Sequence, residues 1–518
     1  MSKVEERKEK FKNWFKESHN LIFLGILAAA IIIRIIFFLK TMNQPVWWDE
    51  GEYLAMAKSF AHNIPFNFNA QRGPLFSLVV ASLFIIDASE PVVRFIAVVI
   101  PSLLVVVASY FLGSALYSKK TGLIFAFLNA VFWVSLFNTT RIHTDMLALL
   151  FAILSLYIFW RYYVVEKNIK YLWLLGLFTA LGFATRSQNA LIPAGMVVYL
   201  LLTENYKFLL KKELWITFLV FLIAVSPLII WNTYQFDKPL AQVWGYASTQ
   251  SLEEKSHYPI AWNVWEIFPI YLLPNNSFLG IIFLILFLIG FVTFSNVVLG
   301  FDIVMKNQDK KLNADAFVLI LFFTSIIYFM FIERPSVYGY DPKWLIFSGL
   351  AMFLIISKGS LQLDEWLSRH LKIFSLIIIA ILLILAAIPQ ISNTNTLVEQ
   401  KKDSYLQVKE AGLWLKEHTS PGEVIYSHSS TQTTYYSDRH TKGIPPTYED
   451  FVKDQREDNA RFFTVSVFEK HPEWAYNYPQ QHPDEFIPVQ AYTLNNQPAL
   501  VIYQYNPKSS PERFNQTN

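Results

Sequence analysis

Two neighbouring carboxylates, Asp49 and Glu50, stand in the stretch VWWDEGEY, directly after Trp47 and Trp48. Paired acids beside aromatic rings suit a site that binds a sugar and removes a proton from a hydroxyl group. A structural interpretation is also open, because Asp49 followed three residues later by Glu52 is typical of a helix capping box. The two tryptophans also fit the aromatic belt at a membrane surface.

A third acid, Asp145, follows His143 and Thr144 in the stretch TRIHTDMLALL. The alternative to a catalytic role is a helix start, capped by Thr144 and with Asp145 favoured by the helix dipole. A histidine beside a carboxylate also raises the possibility of a metal site. Its ligands would be Asp49, Glu50, Asp145 and His143, and the sequence leaves metal dependence open.

A single cation, Arg186, interrupts the apolar stretch from Tyr171 to Leu202 in the motif ATRSQNA. Each apolar half is about 15 residues long, which is short for a membrane crossing. Polar backbone below the membrane surface is tolerated only where it lines a cavity, and an ionisable residue there is a functional candidate. The alternative is an arginine that snorkels to the interface.

A second polar stretch, ERPSVYGYDPKWL, contains Arg334, Tyr340, Asp341 and Lys343. These side chains could join a site on the same side of the membrane as Arg186. The alternative is a solvated turn, because proline and glycine residues recur through the stretch.

The elements that must position these residues are membrane helices. The 518 residues are 53% hydrophobic and only 16% charged, whereas soluble proteins carry about 25% charged residues. A span needs roughly 20 apolar residues, and eleven segments qualify or come close: 21–39, 92–113, 121–137, 145–163, 171–185, 188–203, 213–231, 277–300, 315–332, 341–357 and 372–389.

The distribution of charge predicts the topology. The apolar run Pro74–Ile86 is short, and if it does not cross, about 20 basic residues fall in alternate loops on one side, twice as many as on the other. The N-terminus is then cytoplasmic, the first span is a retained anchor, and Asp49, Asp145 and Arg186 gather on the outer face. The net charge of +3 gives no indication of nucleic-acid binding, and the absence of cysteine rules out disulfides and thiolate chemistry.

This pattern predicts three regions: a cytoplasmic tail (1–20), a transmembrane module (21–390) and an extracytoplasmic soluble domain (391–518). The first outer loop (40–91) should carry amphipathic helices on the membrane surface. In the soluble domain KEAGLWLKEHTS predicts a helix, whereas GEVIYS, RFFTVSVF and the hairpin QAYTLNNQPALVIYQY predict strands. The fold class is therefore a polytopic α-helical membrane protein with a small C-terminal α/β domain.

Together the motifs WWDEGEY, RGPLF, TRIHTDMLALL, ALGFATRSQNALIP and YDPKWL resemble the GT-C superfamily of membrane glycosyltransferases. The nearest branch holds the protein O-mannosyltransferases and the lipid A aminoarabinose transferases, and the resemblance covers about residues 15–360. A small C-terminal α/β domain favours an archaeal or bacterial member.

The resemblance implies a donor sugar linked to dolichyl or undecaprenyl phosphate and a hydroxyl acceptor on a protein, glycan or lipid. It implies catalytic acids at Asp49, Glu50 and Asp145, and stacking of sugar or acceptor on Trp47 and Trp48. The donor phosphate would be bound by basic and polar residues of the outer loops, namely Arg72, Arg186, Arg334, Tyr340 and Lys343. Lys343 stands where the family often has arginine, so a bidentate contact is lost at that position.

The implied reaction is a single displacement with inversion at the anomeric carbon, in which Asp49 acts as general base. Two alternatives stay open at this point: an oligosaccharyltransferase, and a transporter or flippase of a lipid-linked sugar. A transporter would often show internal repeats, and none is visible in the sequence.

Overall fold

The structure is a computed structural model that describes Glu5 and residues 14–243, 271–274, 277–306, 309–333, 342–372, 374–458 and 460–506. The chain forms two compact units. The helical unit comprises Met1–Met42, Asn69–Phe76 and Glu90–Glu399, and the C-terminal unit comprises Asn43–Phe68, Ser77–Ser89 and Gln400–Asn518. The first outer loop, predicted to belong to the transmembrane module, is thus largely grouped with the C-terminal residues.

Long apolar helices dominate the described part of the helical unit. Helices suit a bilayer because most of their backbone hydrogen bonds are made within the helix. Eight are long and apolar enough to cross a membrane: Ser18–Thr41, Glu90–Leu116, Asp145–Val165, Lys212–Phe236, Phe278–Leu299, Lys310–Ile332, Ile346–Leu371 and Phe374–Lys401. These helices confirm the predicted polytopic class.

The remaining predicted spans are shorter helices, so eleven crossings remain a prediction. They are Lys119–Val131 followed by Trp133–Asn138, Leu172–Thr185, and Leu191–Glu204. The helix Pro74–Phe84 has 11 residues. At 1.5 Å per residue it is about 16 Å long, roughly half the thickness of the hydrocarbon core.

A buried arginine, Arg34, holds together three helices of the helical unit. Its side chain is almost completely buried. The guanidinium donates to the carbonyl oxygens of Asn129 (3.0 Å) and Ala130 (3.1 Å) and to Ser102 Oγ (3.0 Å). Those carbonyls belong to the last turn of Lys119–Val131, where no intrahelical donor exists. Arg34 therefore acts as a helix cap supplied from the first span.

Replacing Arg34 with Met is expected to destabilise the helical unit. Each buried carbonyl left without a donor costs about 1–3 kcal/mol. The midpoint of thermal unfolding in detergent measures the effect. Arg161→Met is the matched control, because that side chain is 44% exposed and its ion pair with Glu166 contributes about 0–1 kcal/mol. Equal unfolding temperatures for the two variants would contradict the capping role.

The C-terminal unit contains a mixed five-stranded sheet with the order β2-β1-β3-β5-β4. The strands are β1 (Val424–Tyr426), β2 (His440–Lys442), β3 (Phe462–Ser466), β4 (Phe486–Leu494) and β5 (Gln497–Tyr505). β1 is parallel to β2 and β3, whereas β5 is antiparallel to both β3 and β4. Its helices include Trp48–His62, Leu406–His418, Ser430–Ser437, Tyr448–Asp458 and Glu473–Gln481, together with most of Pro74–Phe84.

The predicted α/β character of this region is confirmed, including the first helix and the strands β1 and β3. The hairpin β4–β5 turns at Asn495 and Asn496, which both have positive φ, as the favoured two-residue hairpin turn requires. Sequence periodicity missed β2 and the helix Ser430–Ser437, because a three-residue strand and an eight-residue polar helix carry little pattern.

The helix Trp48–His62 forms in the first outer loop, where an amphipathic helix was expected. Residues 50–57 of this helix are all buried. Within the C-terminal unit it packs against Ser430–Ser437. Its location on the membrane surface stays a prediction.

The predicted membrane topology can be tested by placing single cysteines in this cysteine-free chain. Asn495→Cys in the exposed β-hairpin should react with an impermeant thiol reagent on intact cells, if the C-terminal unit is extracytoplasmic. Tyr206→Cys, at a position that is 71% exposed in a predicted inner loop, should react only after permeabilisation. Reaction in the opposite order would reverse the topology.

Candidate active site

In the helical unit, Asp145 begins the helix Asp145–Ile158 and is almost fully buried. One carboxylate oxygen accepts a hydrogen bond from the guanidinium of Arg186, and the other lies 2.5 Å from Nδ1 of His143. Thr144 makes no side-chain capping bond, so the capping alternative does not account for this arrangement. Widely separated residues thus form a buried polar group, which we call the Asp145 cluster (Asp145, His143 and Arg186).

Arg186 has an extended backbone conformation and lies between the helix Leu172–Thr185 and the short helix Ser187–Ala190. Its side chain is only 11% exposed, and Nε donates to Gln188 Oε1 at 2.9 Å. An arginine that snorkels to water would keep its head exposed. The guanidinium of Arg186 is instead buried and pairs with the carboxylate of Asp145.

Gly73 places the segment Arg72–Pro74 against the chain that precedes Arg186. A Cβ atom at Gly73 would lie 2.3 Å from the carbonyl oxygen of Ala184, a distance that no side chain tolerates. Only glycine permits this approach. The backbone of Arg72 is therefore anchored close to the turn that carries Arg186.

Lys343 adds a further positive charge to this region. It belongs to the short helix Pro342–Leu345, is partly buried, and interacts electrostatically with Asp145. Arg334 and Tyr340, the other donor-binding residues predicted from the sequence, lie outside the described residues, as does Asp341.

One buried cation near this site was missed by the sequence reasoning. Arg94 is fully buried and donates to the carbonyl oxygen of Thr140 at 2.6 Å and to Glu90 Oε1 at 3.2 Å. It thereby supports the loop that leads to His143. The spacing of Glu90 and Arg94, four residues apart on one helix, was the available signal.

The paired acids lie in the C-terminal unit, at the start of Trp48–His62. The backbone N–H of Trp47 donates to Glu50 Oε2 at 3.2 Å, so Glu50 closes the helix N-terminus. Glu50 is almost completely buried, whereas Asp49 is only partly buried. The capping interpretation therefore applies to Glu50 and not to Asp49.

Trp48 contacts a polar cluster of the same unit. Its indole Nε1 donates to Glu469 Oε1 at 3.3 Å, and Ser466 Oγ donates to Glu469 Oε2 at 2.6 Å.

Burial, together with the neighbouring His428, lowers the pKa of His471 to about 4. Because the unfolded histidine binds a proton near pH 6.5, this group stabilises the fold above that pH and progressively less as the pH falls toward 4.

The backbone on both sides of Asp49 is held by the helix Ser430–Ser437. The N–H of Val46 donates to Tyr436 Oη at 2.9 Å, and Gln432 Nε2 donates to the carbonyl oxygen of Val46 at 3.1 Å. Thr431 Oγ1 donates to the carbonyl oxygen of Trp48 at 3.1 Å. The C-terminal domain thus fixes the conformation of the segment that carries Asp49.

Gly51→Ala is expected to disturb this fixation, since the new Cβ would lie 3.0 Å from the backbone nitrogen of Gln432. Overpacking of this kind typically destabilises by about 1–3 kcal/mol. Gly25→Ala is the matched control, because nothing lies within 4 Å of its Cβ position. Thermal unfolding of both variants decides the point, and an unchanged midpoint for Gly51→Ala would show that the two helices pack less closely than described.

Comparison with known proteins places this geometry in a wider context. A family model described as dolichyl-phosphate-mannose-protein mannosyltransferase matches residues 71–231, the stretch that contains Arg72, Asp145 and Arg186. The solved structure of ArnT from Cupriavidus metallidurans in the apo state superposes with a TM-score of 0.63 at 11% identity, covering 94% of this chain and 99% of that chain. The chain has the GT-C fold.

Two further GT-C structures are similar. ArnT from Cupriavidus metallidurans bound to undecaprenyl phosphate has a TM-score of 0.57 at 11% identity and covers 94% of this chain and 99% of that chain. The oligosaccharyltransferase AglB from Archaeoglobus fulgidus was solved in complex with an inhibitory peptide and a dolichol-phosphate. Its TM-score is 0.58 at 11% identity, and the match covers 96% of this chain and 75% of that chain. No curated protein sequence matches the chain.

These findings confirm the predicted fold class, and the family model agrees with the predicted superfamily over residues 71–231. The family model and the similar structures are all of glycosyltransferases, which agrees with the predicted enzyme class and disfavours a transporter.

The predicted metal ligands belong to different units, Asp49 and Glu50 to the C-terminal unit and Asp145 and His143 to the helical unit, and the metal site stays a prediction. Within the described residues no three histidine or acidic side chains come together in a way that could hold a metal ion. The carboxylate of Asp145 is occupied by Arg186 and His143, and that of Glu50 receives the N–H of Trp47.

Proposed function

We propose that this protein transfers a sugar from a polyprenyl-phosphate donor to a hydroxyl group of an acceptor on the extracytoplasmic face. The observation that carries the proposal is the buried Asp145 cluster, with Arg72 anchored nearby through Gly73 and Lys343 within electrostatic range. Three cations against one carboxylate leave an excess of positive charge, which suits a phosphate in a partly dehydrated site.

The region beside Arg186 also offers room for a polyprenyl chain. An apolar groove of about 550 Å³ begins at Leu191 and runs along the helices Leu191–Glu204 and Lys310–Tyr328. Because Leu191 lies five residues after Arg186, a phosphate at the guanidinium would place its lipid near this groove. The undecaprenyl phosphate in ArnT and the dolichol-phosphate in AglB support the same class of donor.

The proposed reaction is an inverting displacement. Asp49 accepts the proton of the acceptor hydroxyl, whose oxygen attacks the anomeric carbon of the donor sugar. The bond between that carbon and the phosphate oxygen breaks, and its electron pair remains on the polyprenyl phosphate. Arg186, Arg72 and Lys343 stabilise the growing negative charge, while Asp145 orients the guanidinium of Arg186.

The choice of ArnT-like rather than oligosaccharyltransferase-like chemistry rests on the extent of the match. This chain covers 99% of ArnT but only 75% of AglB. The donor is proposed to carry a single sugar rather than an oligosaccharide, in line with the resemblance of the sequence motifs to the protein O-mannosyltransferase and aminoarabinose transferase branch. The acceptor is proposed only as a hydroxyl on a protein, glycan or lipid.

Incubation of the purified protein with a panel of polyprenyl-phosphate sugars and lipid-linked oligosaccharides tests the proposal. One monosaccharide donor should be consumed with release of the polyprenyl phosphate, and the product should have the inverted anomeric configuration. Consumption of oligosaccharide donors alone would favour the oligosaccharyltransferase alternative, and retention of configuration would contradict the single displacement.

A further inference from the structure

A polar cavity of about 290 Å³ lies in the helical unit, far along the bundle from Asp145. The helices Asp145–Val165 and Leu191–Glu204 end at this cavity, and Lys212–Phe236 begins there. Tyr163, in the cavity wall, follows Asp145 by about 18 residues, which corresponds to roughly 27 Å of helix. The cavity is therefore separate from the candidate active site and lies near the opposite membrane surface.

The wall of this cavity carries an ordered set of polar groups. Glu204 Oε2 accepts a hydrogen bond from Tyr163 Oη at 2.9 Å and pairs with Lys211 Nζ at 2.8 Å. The Lys211 ammonium also lies 5.0 Å from the centroid of the Tyr163 ring. Because an ammonium has three donors, Lys211 retains hydrogen-bonding capacity toward a ligand in the cavity.

Tyr199 is the group that most clearly lacks a partner. It lines the cavity and is 1% exposed, yet its hydroxyl has no hydrogen-bond partner among the described residues. Its ring is fixed between Trp160 and Phe317, with centroid distances of 5.9 and 5.1 Å. A buried hydroxyl left without a bond is unfavourable by about 1–3 kcal/mol, and an acceptor oxygen bound in the cavity would remove that cost.

The charge around the cavity selects the type of ligand. The cavity lining itself holds two lysines and two glutamates. Over the surrounding helix ends, however, basic residues outnumber acidic ones two to one, and such an excess of basic residues between membrane helices attracts anionic lipid headgroups. The basic residues are Arg161, Lys167, Lys170, Lys207, Lys211 and Lys212, and the acidic ones are Glu166, Glu204 and Glu213.

We propose that this cavity binds the phosphodiester headgroup of an anionic membrane phospholipid. Lys211 and Lys167, which both line the cavity, face the phosphate, and the hydroxyl of Tyr199 donates to one of its oxygens. The ends of the helices lie at the membrane boundary, where such headgroups are concentrated. The bound lipid would thus fill a polar gap between the helix ends.

Native mass spectrometry of the full-length protein in detergent, titrated with phosphatidylglycerol or phosphatidylcholine, tests this site. The wild type should bind one phosphatidylglycerol at least tenfold more tightly than phosphatidylcholine. Tyr199→Phe retains the packed ring but removes the donor, and Lys211→Met removes the charge. Each should weaken phosphatidylglycerol binding about tenfold, as loss of a hydrogen bond to a charged group predicts.

Lys212→Met is the matched control, because Lys212 neighbours Lys211 in the chain but does not line the cavity. It should change the affinity less than twofold. If Lys211→Met unfolds at a lower temperature, Tyr199→Phe alone carries the comparison. Equal binding of the two lipids, equal affinity in all variants, or displacement of the lipid by soluble glycerol 3-phosphate at comparable concentration would each overturn the proposal.

Discussion

Asp49→Asn is expected to lower the turnover number of the proposed transfer by about 10²–10⁴-fold while the protein remains folded. Removal of a general base typically has an effect of this size. Asparagine is nearly isosteric with aspartate but does not accept the proton. The measurement is a donor-consumption assay under saturating donor and acceptor, accompanied by a thermal unfolding curve.

Glu50→Gln is the matched control for this substitution. Glu50 is adjacent, is also acidic, and accepts the N–H of Trp47. Glu50→Gln retains an acceptor oxygen for that bond, so it should change the unfolding temperature little and the turnover far less than Asp49→Asn. If Glu50→Gln proves to be the more damaging change, the base assignment moves to Glu50. Near-normal turnover of Asp49→Asn would falsify the role of Asp49.

Arg186→Lys is expected to weaken donor binding and to slow transfer, each by at least tenfold. A lysine retains the charge but loses the planar fork that reaches Asp145 and Gln188 together and that could also bind the proposed phosphate. The rate should fall as well as the affinity, because the leaving phosphate gains charge in the transition state. Titration with the donor and single-turnover kinetics separate the two effects.

Arg186→Ala is a less informative change, because it would leave the buried carboxylate of Asp145 without its main cation. Breaking a buried pair in this way typically costs about 3–5 kcal/mol. Asp145→Asn provides the comparison for Arg186→Lys, since it removes the acid but leaves the guanidinium in place. Asp145→Asn should lose less donor affinity than Arg186→Lys. Equal donor affinity in wild type and Arg186→Lys would remove Arg186 from the phosphate site.

Much of the helical unit could be predicted from the sequence, because long apolar segments have few alternatives in a bilayer. The sequence placed Arg186 and Asp145 on one side of the membrane, but it did not predict the contact between them. The role of Arg34 was missed, although an arginine inside the first span is unusual enough to mark a specific partner. Its partners are carbonyl groups of a distant helix, and no residue type in the sequence identifies those.

The environment of Asp49 could not be predicted for a different reason. Its segment is fixed by the helix Ser430–Ser437, which has low apolar content and no clear period. Gly73 illustrates the same limit, since its requirement for glycine comes from the carbonyl oxygen of Ala184 and is not visible in the local sequence. Contacts that depend on the path of the backbone leave little trace in residue type.

The attachment of the Asp49 segment to the C-terminal domain has a consequence for biosynthesis. The bonds from Val46 to Gln432 and Tyr436 join residues 386 and 390 positions apart. At roughly 5–20 residues per second, the ribosome needs about 20–80 s to make the intervening chain. During that interval the first span is already synthesised, but the segment that carries the proposed base lacks its support. A nascent chain, or one terminated before residue 430, should therefore be inserted in the membrane and yet inactive, so that activity arises only after the helix Ser430–Ser437 has been made.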